Sequence, residues 1–133
     1  MVRVTRTEGR VIAMAEPDYT ARIDYPEGLV ELGSAQAGAL RGRGADPSIG
    51  RELRALLNAS GLTRVEAGVL GGEWSAVEDP ETVESEWRML DEDLSGLVGP
   101  EQLAAYREMD QRSRQAGERI LFVPTFFASG WVA

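Results

Sequence analysis

A chain of 133 residues with 43% hydrophobic and 27% charged residues has the size and balance of one globular domain, and it excludes a disordered tail or a fibrous repeat. Its net charge of −8 opposes polyanions, so neither nucleic acid nor an anionic membrane surface is expected as the main partner. The chain has no His and no Cys, and all its basic residues are Arg; this removes thiol nucleophiles, Ser-His-Asp triads, lysine Schiff bases and His/Cys zinc sites, and leaves proton transfer to Asp, Glu or Tyr.

The opening residues Met1-Val2-Arg3-Val4 lack the apolar run of a signal peptide. Val11-Ile12-Ala13-Met14-Ala15, bounded by Gly9-Arg10 and Glu16-Pro17-Asp18, reads as a strand buried on both faces, as in a parallel α/β sheet. Pro17 is expected to end it near Glu16. A polar connection from Asp18 to Pro26 follows. Leu29, Leu32, Gln36, Ala39 and Leu40 then recur near helical spacing, with Gly42 and Gly44 as the stop.

Asp46-Pro47 reads as a capping residue and first helical position. The helix it opens carries the apolar stripe Ile49, Leu53, Leu56 and Leu57 and is closed by Gly61. Leu62 to Leu70 alternates apolar and polar residues as a half-buried strand does, and Gly71-Gly72 breaks it. Asp79-Pro80 repeats the cap-plus-proline signature, and Val83, Trp87, Leu90 and Leu94 form an amphipathic stripe. After Gly96 to Gly99, Pro100 starts another helix, with Leu103, Tyr106 and Met109 on its apolar face and Gly117 at its end. The segment from Ile120 to Ala133 is rich in β-branched and aromatic residues and reads as a long or broken strand, with Pro124 marking a bulge or an edge. These elements predict a mixed α/β fold with a small sheet, in one domain spanning 1–133.

Arg3-Val4-Thr5-Arg6-Thr7-Glu8-Gly9-Arg10 followed by the strand Val11–Ala15 resembles the entry into strand five of class I S-adenosylmethionine-dependent methyltransferases. Thr7-Glu8 departs from the usual Pro-Gly of that family. The stretch from Asp46 to Leu62, with Gly50-Arg51-Glu52-Leu53 and Ala59-Ser60-Gly61, is similar to the helix that leads into strand six. The aromatic C-terminal segment is similar to strand seven, which inserts antiparallel beside strand six. The resemblance implies the C-terminal half of that Rossmann-like fold, and a methyl transfer to a small molecule as its chemistry.

The family's Gly-x-Gly-x-Gly turn after a first strand, which binds S-adenosylmethionine, has no counterpart in this sequence. The expectation is a chain that lacks the cofactor site and is inactive alone. Its strand Val11–Ala15 would pair across a homodimer or with a missing N-terminal half. Substrate contacts are expected at the carboxyl end of that strand, from Glu16, Asp18 and Tyr19, with Trp74 as an aromatic wall. The plainer reading of the same residues, and the favoured one, is turn chemistry for Glu16 and Asp18 and packing for Tyr19 and Trp74. The alternatives are a non-catalytic ligand-binding or dimerisation module and, last, an acid/base enzyme using carboxylates. Absence of Cys and of long apolar runs suits a cytoplasmic protein.

Overall fold

The computed structural model describes residues 2–72 and 79–133. It is a mixed α/β fold of five strands and four helices among those residues. The chain divides into two compact units: Met1–Ala21, Pro47–Gly71 and Val123–Ala133 form the first, and Arg22–Asp46 and Gly72–Phe122 form the second.

The first unit is a three-stranded antiparallel sheet covered on one face by a helix. Strand β1 (Arg10–Pro17) and strand β3 (Thr63–Leu70) flank β5 (Thr125–Trp131), in the order β1-β5-β3. β5 is antiparallel to both neighbours, with Ala13 and Ala67 both opposite Ala128. Helix α2 (Ile49–Ala59) lays Leu53 and Leu57 on the sheet, where they meet Val11, Leu62 and the fully buried Ala128. Each flanking strand carries a bulge, between Ala13 and Glu16 in β1 and between Thr63 and Glu66 in β3. A non-glycine residue with positive φ sits inside each, Ala15 at 62° and Arg64 at 50°, the backbone state that lets one extra residue bend an edge strand.

β1 differs from the interior, parallel-type strand expected from its continuous apolar run. It is an edge strand, antiparallel to its single neighbour. Val11 is 6% exposed beneath α2, whereas Ile12 and Met14 are 49% and 60% exposed. The cause is that only the α2 side of the sheet is covered at these residues. α2 also begins later than the Asp46-Pro47 signature suggests. Ser48 occupies its capping position without a side-chain bond, and Pro47 stays in the preceding connection, where its carbonyl accepts the Tyr19 N–H at 2.8 Å. At the other end Gly61 adopts φ 79°, as a residue closing a helix in the left-handed state does.

The second unit pairs a short ribbon with three helices. Strands β2 (Ile23–Tyr25) and β4 (Ile120–Phe122) are antiparallel, with Asp24 opposite Leu121. The expected polar connection after Asp18 therefore holds a strand, too short at three residues to leave a periodic signal. Helix α1 (Val30–Gly42) contributes Leu29, at its cap, Leu32 and Ala39 to a core shared with Trp87, Leu90 and Leu94 of α3 (Pro80–Leu94) and Tyr106 of α4 (Pro100–Gln115). The Asp79 carboxylate accepts the N–H groups of Glu81 and Thr82, with Pro80 in the first helical position, which is the cap expected there. The aromatic segment from Ile120 breaks at Val123-Pro124 into β4 and β5, which belong to different sheets.

Candidate functional site

Three of the four residues singled out from sequence lie where β1 ends. Glu16 is half-buried past the bulge, opposite Phe126. Its backbone carbonyl stands against α2: a Cβ on Gly50 would lie 2.5 Å from that oxygen, so only glycine lets the helix approach so near. Asp18 is fully buried, and Tyr19 opens a single helical turn, Tyr19–Ala21. Trp74 lies outside the described residues.

Asp18 is saturated. Its Oδ1 accepts Thr20 N–H at 3.0 Å, the Thr20 hydroxyl at 2.6 Å and Ala21 N–H at 3.2 Å. Its Oδ2 accepts Nε of Arg51. The Asp18 N–H in turn donates to the Pro124 carbonyl at 2.8 Å. Burial pushes the Asp18 carboxyl up, but the bonds from Arg51 and Thr20 and the Arg51 charge outweigh it and hold it below the ordinary carboxylate value. An ionised group with its lone pairs occupied is a poor proton acceptor. Asp18 therefore ties the end of β1 to its own turn, to the residue before β5 and to α2.

Arg51, on the first turn of α2, is the residue that sequence reasoning missed at this point. Its NH2 group donates to the Thr20 hydroxyl at 2.9 Å, while its side chain remains 51% exposed. The Gly50-Arg51 pair was visible only as part of a helix pattern, because nothing in the sequence joins it to Asp18, 33 residues earlier. Glu16, Tyr19, Thr20 and Arg51 are among the polar residues at this corner that are not fully buried.

A second polar assembly lies inside the second unit. The Arg22 guanidinium binds both oxygens of Asp24, at 2.6 and 3.0 Å. Arg119 donates to Asp24 at 2.8 Å, to Asp110 at 2.6 Å and to the Tyr25 carbonyl at 3.1 Å. Asp110 also accepts the Trp87 indole N–H at 2.9 Å and Arg114 at 2.8 Å. Arg114 reaches Glu86. On the other side, Gln36 accepts from Arg22 and donates to Asp93, which is paired with Arg43.

The side chains of Arg22, Asp24, Asp110 and Arg119 are each 5% exposed or less. Among the described residues no buried side-chain polar atom lacks a partner. Burial raises the Asp110 carboxyl, yet the bonds from Arg114, Trp87 and Arg119 more than offset it and leave it below its ordinary value. Such a closed network fixes the arrangement of its elements and offers no open valence to a substrate.

Open surface depressions among the described residues include one of about 490 Å³ at the α3–α4 turn beside Ser95, Leu97 and Leu103 and one of about 460 Å³ beside Val2, Val4 and Ser60. Neither includes Glu16, Asp18 or Tyr19. Among the described residues, no group of three or more metal-ligating side chains converges, and no helix is long and apolar enough to cross a membrane. No protein-family model matches this chain, and no curated protein matches its sequence.

Proposed function

We propose that this chain is a methyltransferase-family protein, built as the C-terminal half of the class I S-adenosylmethionine-dependent fold, with methyl transfer to a small molecule as the chemistry of the intact fold. One observation carries the reading: the last strand, β5, lies antiparallel beside β3 and between it and β1. This agrees with the places of strands seven, six and five in the resemblance, and α2 leads into β3 as the helix before strand six would. The partial Rossmann-like sheet then ends at β1, where the rest of that fold would continue.

In this reading the chain supplies the acceptor side of the reaction. Glu16, Tyr19 and Arg51, at the carboxyl end of β1, orient a small acceptor, and orientation is the larger part of a two-substrate displacement. Asp18 holds that corner together. The cofactor would be gripped by a glycine-rich turn that this sequence does not contain, so methyl transfer needs a second polypeptide segment. The lack of Cys suits a cytoplasmic setting.

Calorimetric titration with S-adenosylhomocysteine tests the proposal on two samples, the chain alone and the chain co-expressed with the polypeptide encoded directly upstream. Binding by the pair only is the expected result. Micromolar binding by the chain alone would put the cofactor site within these residues, and binding by neither would overturn the family reading.

A second reading, a non-catalytic ligand-binding or dimerisation module, is favoured by the saturated, ionised Asp18. A thermal shift with apolar ligands and none with the cofactor product would select it.

A further inference from the structure

We infer that two copies of this chain join along β1, antiparallel about a two-fold axis at Ile12, to make one six-stranded sheet in the order β3-β5-β1-β1-β5-β3. The inference stands on the strand edge itself: in the chain by itself, a second copy takes the edge at which the methyltransferase reading would continue its sheet.

The phase of the ladder shows which backbone groups are open. Val132 donates its N–H to the Gly9 carbonyl at 2.9 Å, and the register continues as Arg10 opposite Trp131 and Val11 opposite Gly130. In an antiparallel pair, hydrogen-bonded and non-hydrogen-bonded positions alternate. Val11 and Ala13 thus turn their N–H and C=O toward β5, and Arg10 and Ile12 turn theirs to the open edge. Among the described residues no strand pairs with this row, and an unpaired row is a template for another strand.

The side chains agree. Val11 to Ala15 carries no charge, and Ile12 and Met14 are 49% and 60% exposed. The opposite edge, β3, alternates Arg64 and Glu66 with Gly68 in the same unit, a pattern that discourages pairing. Charge also selects this face. The first unit holds six Arg against five carboxylates, and the second holds eight Arg against seventeen. Two chains of net charge −8 therefore meet with least repulsion through the first unit.

The register follows from the bulge. Ala15 is left-handed and Pro17 follows it, so regular pairing is confined to Arg10 through Met14. Centring those five residues places Ile12 against its own copy, Val11 against Ala13 of the second copy, and Arg10 against its Met14. Ile12 of each copy then exchanges both backbone hydrogen bonds with the other and packs on it, on the sheet face away from α2. An isologous contact of this kind closes at two copies, with a β3 strand at either end of the joined sheet.

The absence of Cys makes the test direct. Ile12→Cys and Met14→Cys are prepared in the full chain and oxidised, and the parent chain and Ile12→Asp are sized by light scattering. Directly opposed residues in a hydrogen-bonded pair have Cα atoms about 5.5 Å apart, within disulfide reach. A thiol introduced at position 14 would instead lie four residues along the ladder from its copy, roughly 14 Å away. The expected result is a dimer of the 14.5 kDa chain, a covalent dimer from Ile12→Cys and none from Met14→Cys. Ile12→Asp should be a monomer with an unchanged circular dichroism spectrum. A parent chain that stays monomeric at every concentration overturns the pairing, as does an Ile12→Asp dimer. Cross-linking of Met14→Cys in place of Ile12→Cys overturns the register. Failure to bind S-adenosylhomocysteine bears on the family reading alone.

Discussion

Arg119 and Asp110 meet at 2.6 Å with side chains only 3% exposed, and each is tied to a further buried or half-buried ion. Removing one member of such a pair leaves a desolvated charge behind, which costs about 3–5 kcal/mol. Arg119→Met is expected to lose that much in urea denaturation, because Asp24 and Asp110 both lose a donor. Asp110→Asn should cost less, since an amide oxygen can still accept from Trp87. A loss below about 1 kcal/mol for Arg119→Met would mean that water reaches the network and that its closure is not what holds β2, β4 and α4 together.

The same carboxylates set the acid limit of the fold. Asp18 and Asp110 both have folded-state values below the ordinary one. A group depressed in the folded state contributes stability that is fully present above its unfolded value, about 3.9. That contribution is lost as pH falls from there through the lower folded value. The urea midpoint should therefore be flat from neutral pH to about pH 5 and fall steeply below it. Asp110→Asn should flatten the acid slope while lowering the plateau. An unchanged slope in that variant would refute the assignment.

Two glycines of one helix should respond oppositely to the same substitution. A Cβ on Gly33 would sit 2.7 Å from Asp24 Oδ2 and 2.9 Å from Arg22 Nε, whereas one on Gly38 meets nothing within 4 Å. In a helix interior Ala is better than Gly by up to about 1 kcal/mol. Gly38→Ala is thus expected to raise the melting temperature. Gly33→Ala should lower it by prising the Arg22–Asp24 pair away from α1. Equal shifts of the same sign would show that the ion pair yields without cost.

The Asp18 corner should be structural in a measurable way. Asp18→Ala removes a buried acceptor of three hydrogen bonds from Thr20 and Ala21 and one from Arg51, and a loss of roughly 2–3 kcal/mol is expected. Arg51→Ala leaves the same carboxylate with fewer donors, but the arginine side chain is half in solvent, so about 1 kcal/mol is expected. Stability is the readout for both. A near-zero effect of Asp18→Ala would return this residue to the candidates for ligand contact.

Much of the second unit was legible because its signals are local. Asp79, Pro80 and the stripe from Val83 to Leu94 sit within one helix, and cap, proline and periodicity all agree there. The misreadings share a cause. The apolar run Val11–Ala15 reports that its side chains are apolar, not how many neighbours they have, so an edge strand looked like an interior one. Asp46-Pro47 resembles a helix start, but Pro47 serves the Tyr19 N–H instead. The ion network was invisible because Arg119 and Asp24 are 95 positions apart; only its Asp110–Arg114 contact has a helical spacing that sequence reveals. At the candidate site the carboxyl end of β1 was found and its partner Arg51 was not, for the same reason of distance along the chain.

The middle strand of the first unit is the last one to be made. β1 and β3 touch no common ladder until β5 is threaded between them. During synthesis, β5 must leave the ribosome before β1 finds its neighbour within this sheet. The helices of the second unit, whose core contacts lie wholly between Leu29 and Met109, can assemble in the meantime. A nascent chain arrested before Thr125 should therefore present Val11–Ala15 as an adhesive segment, and chaperone dependence should drop sharply once β5 has emerged.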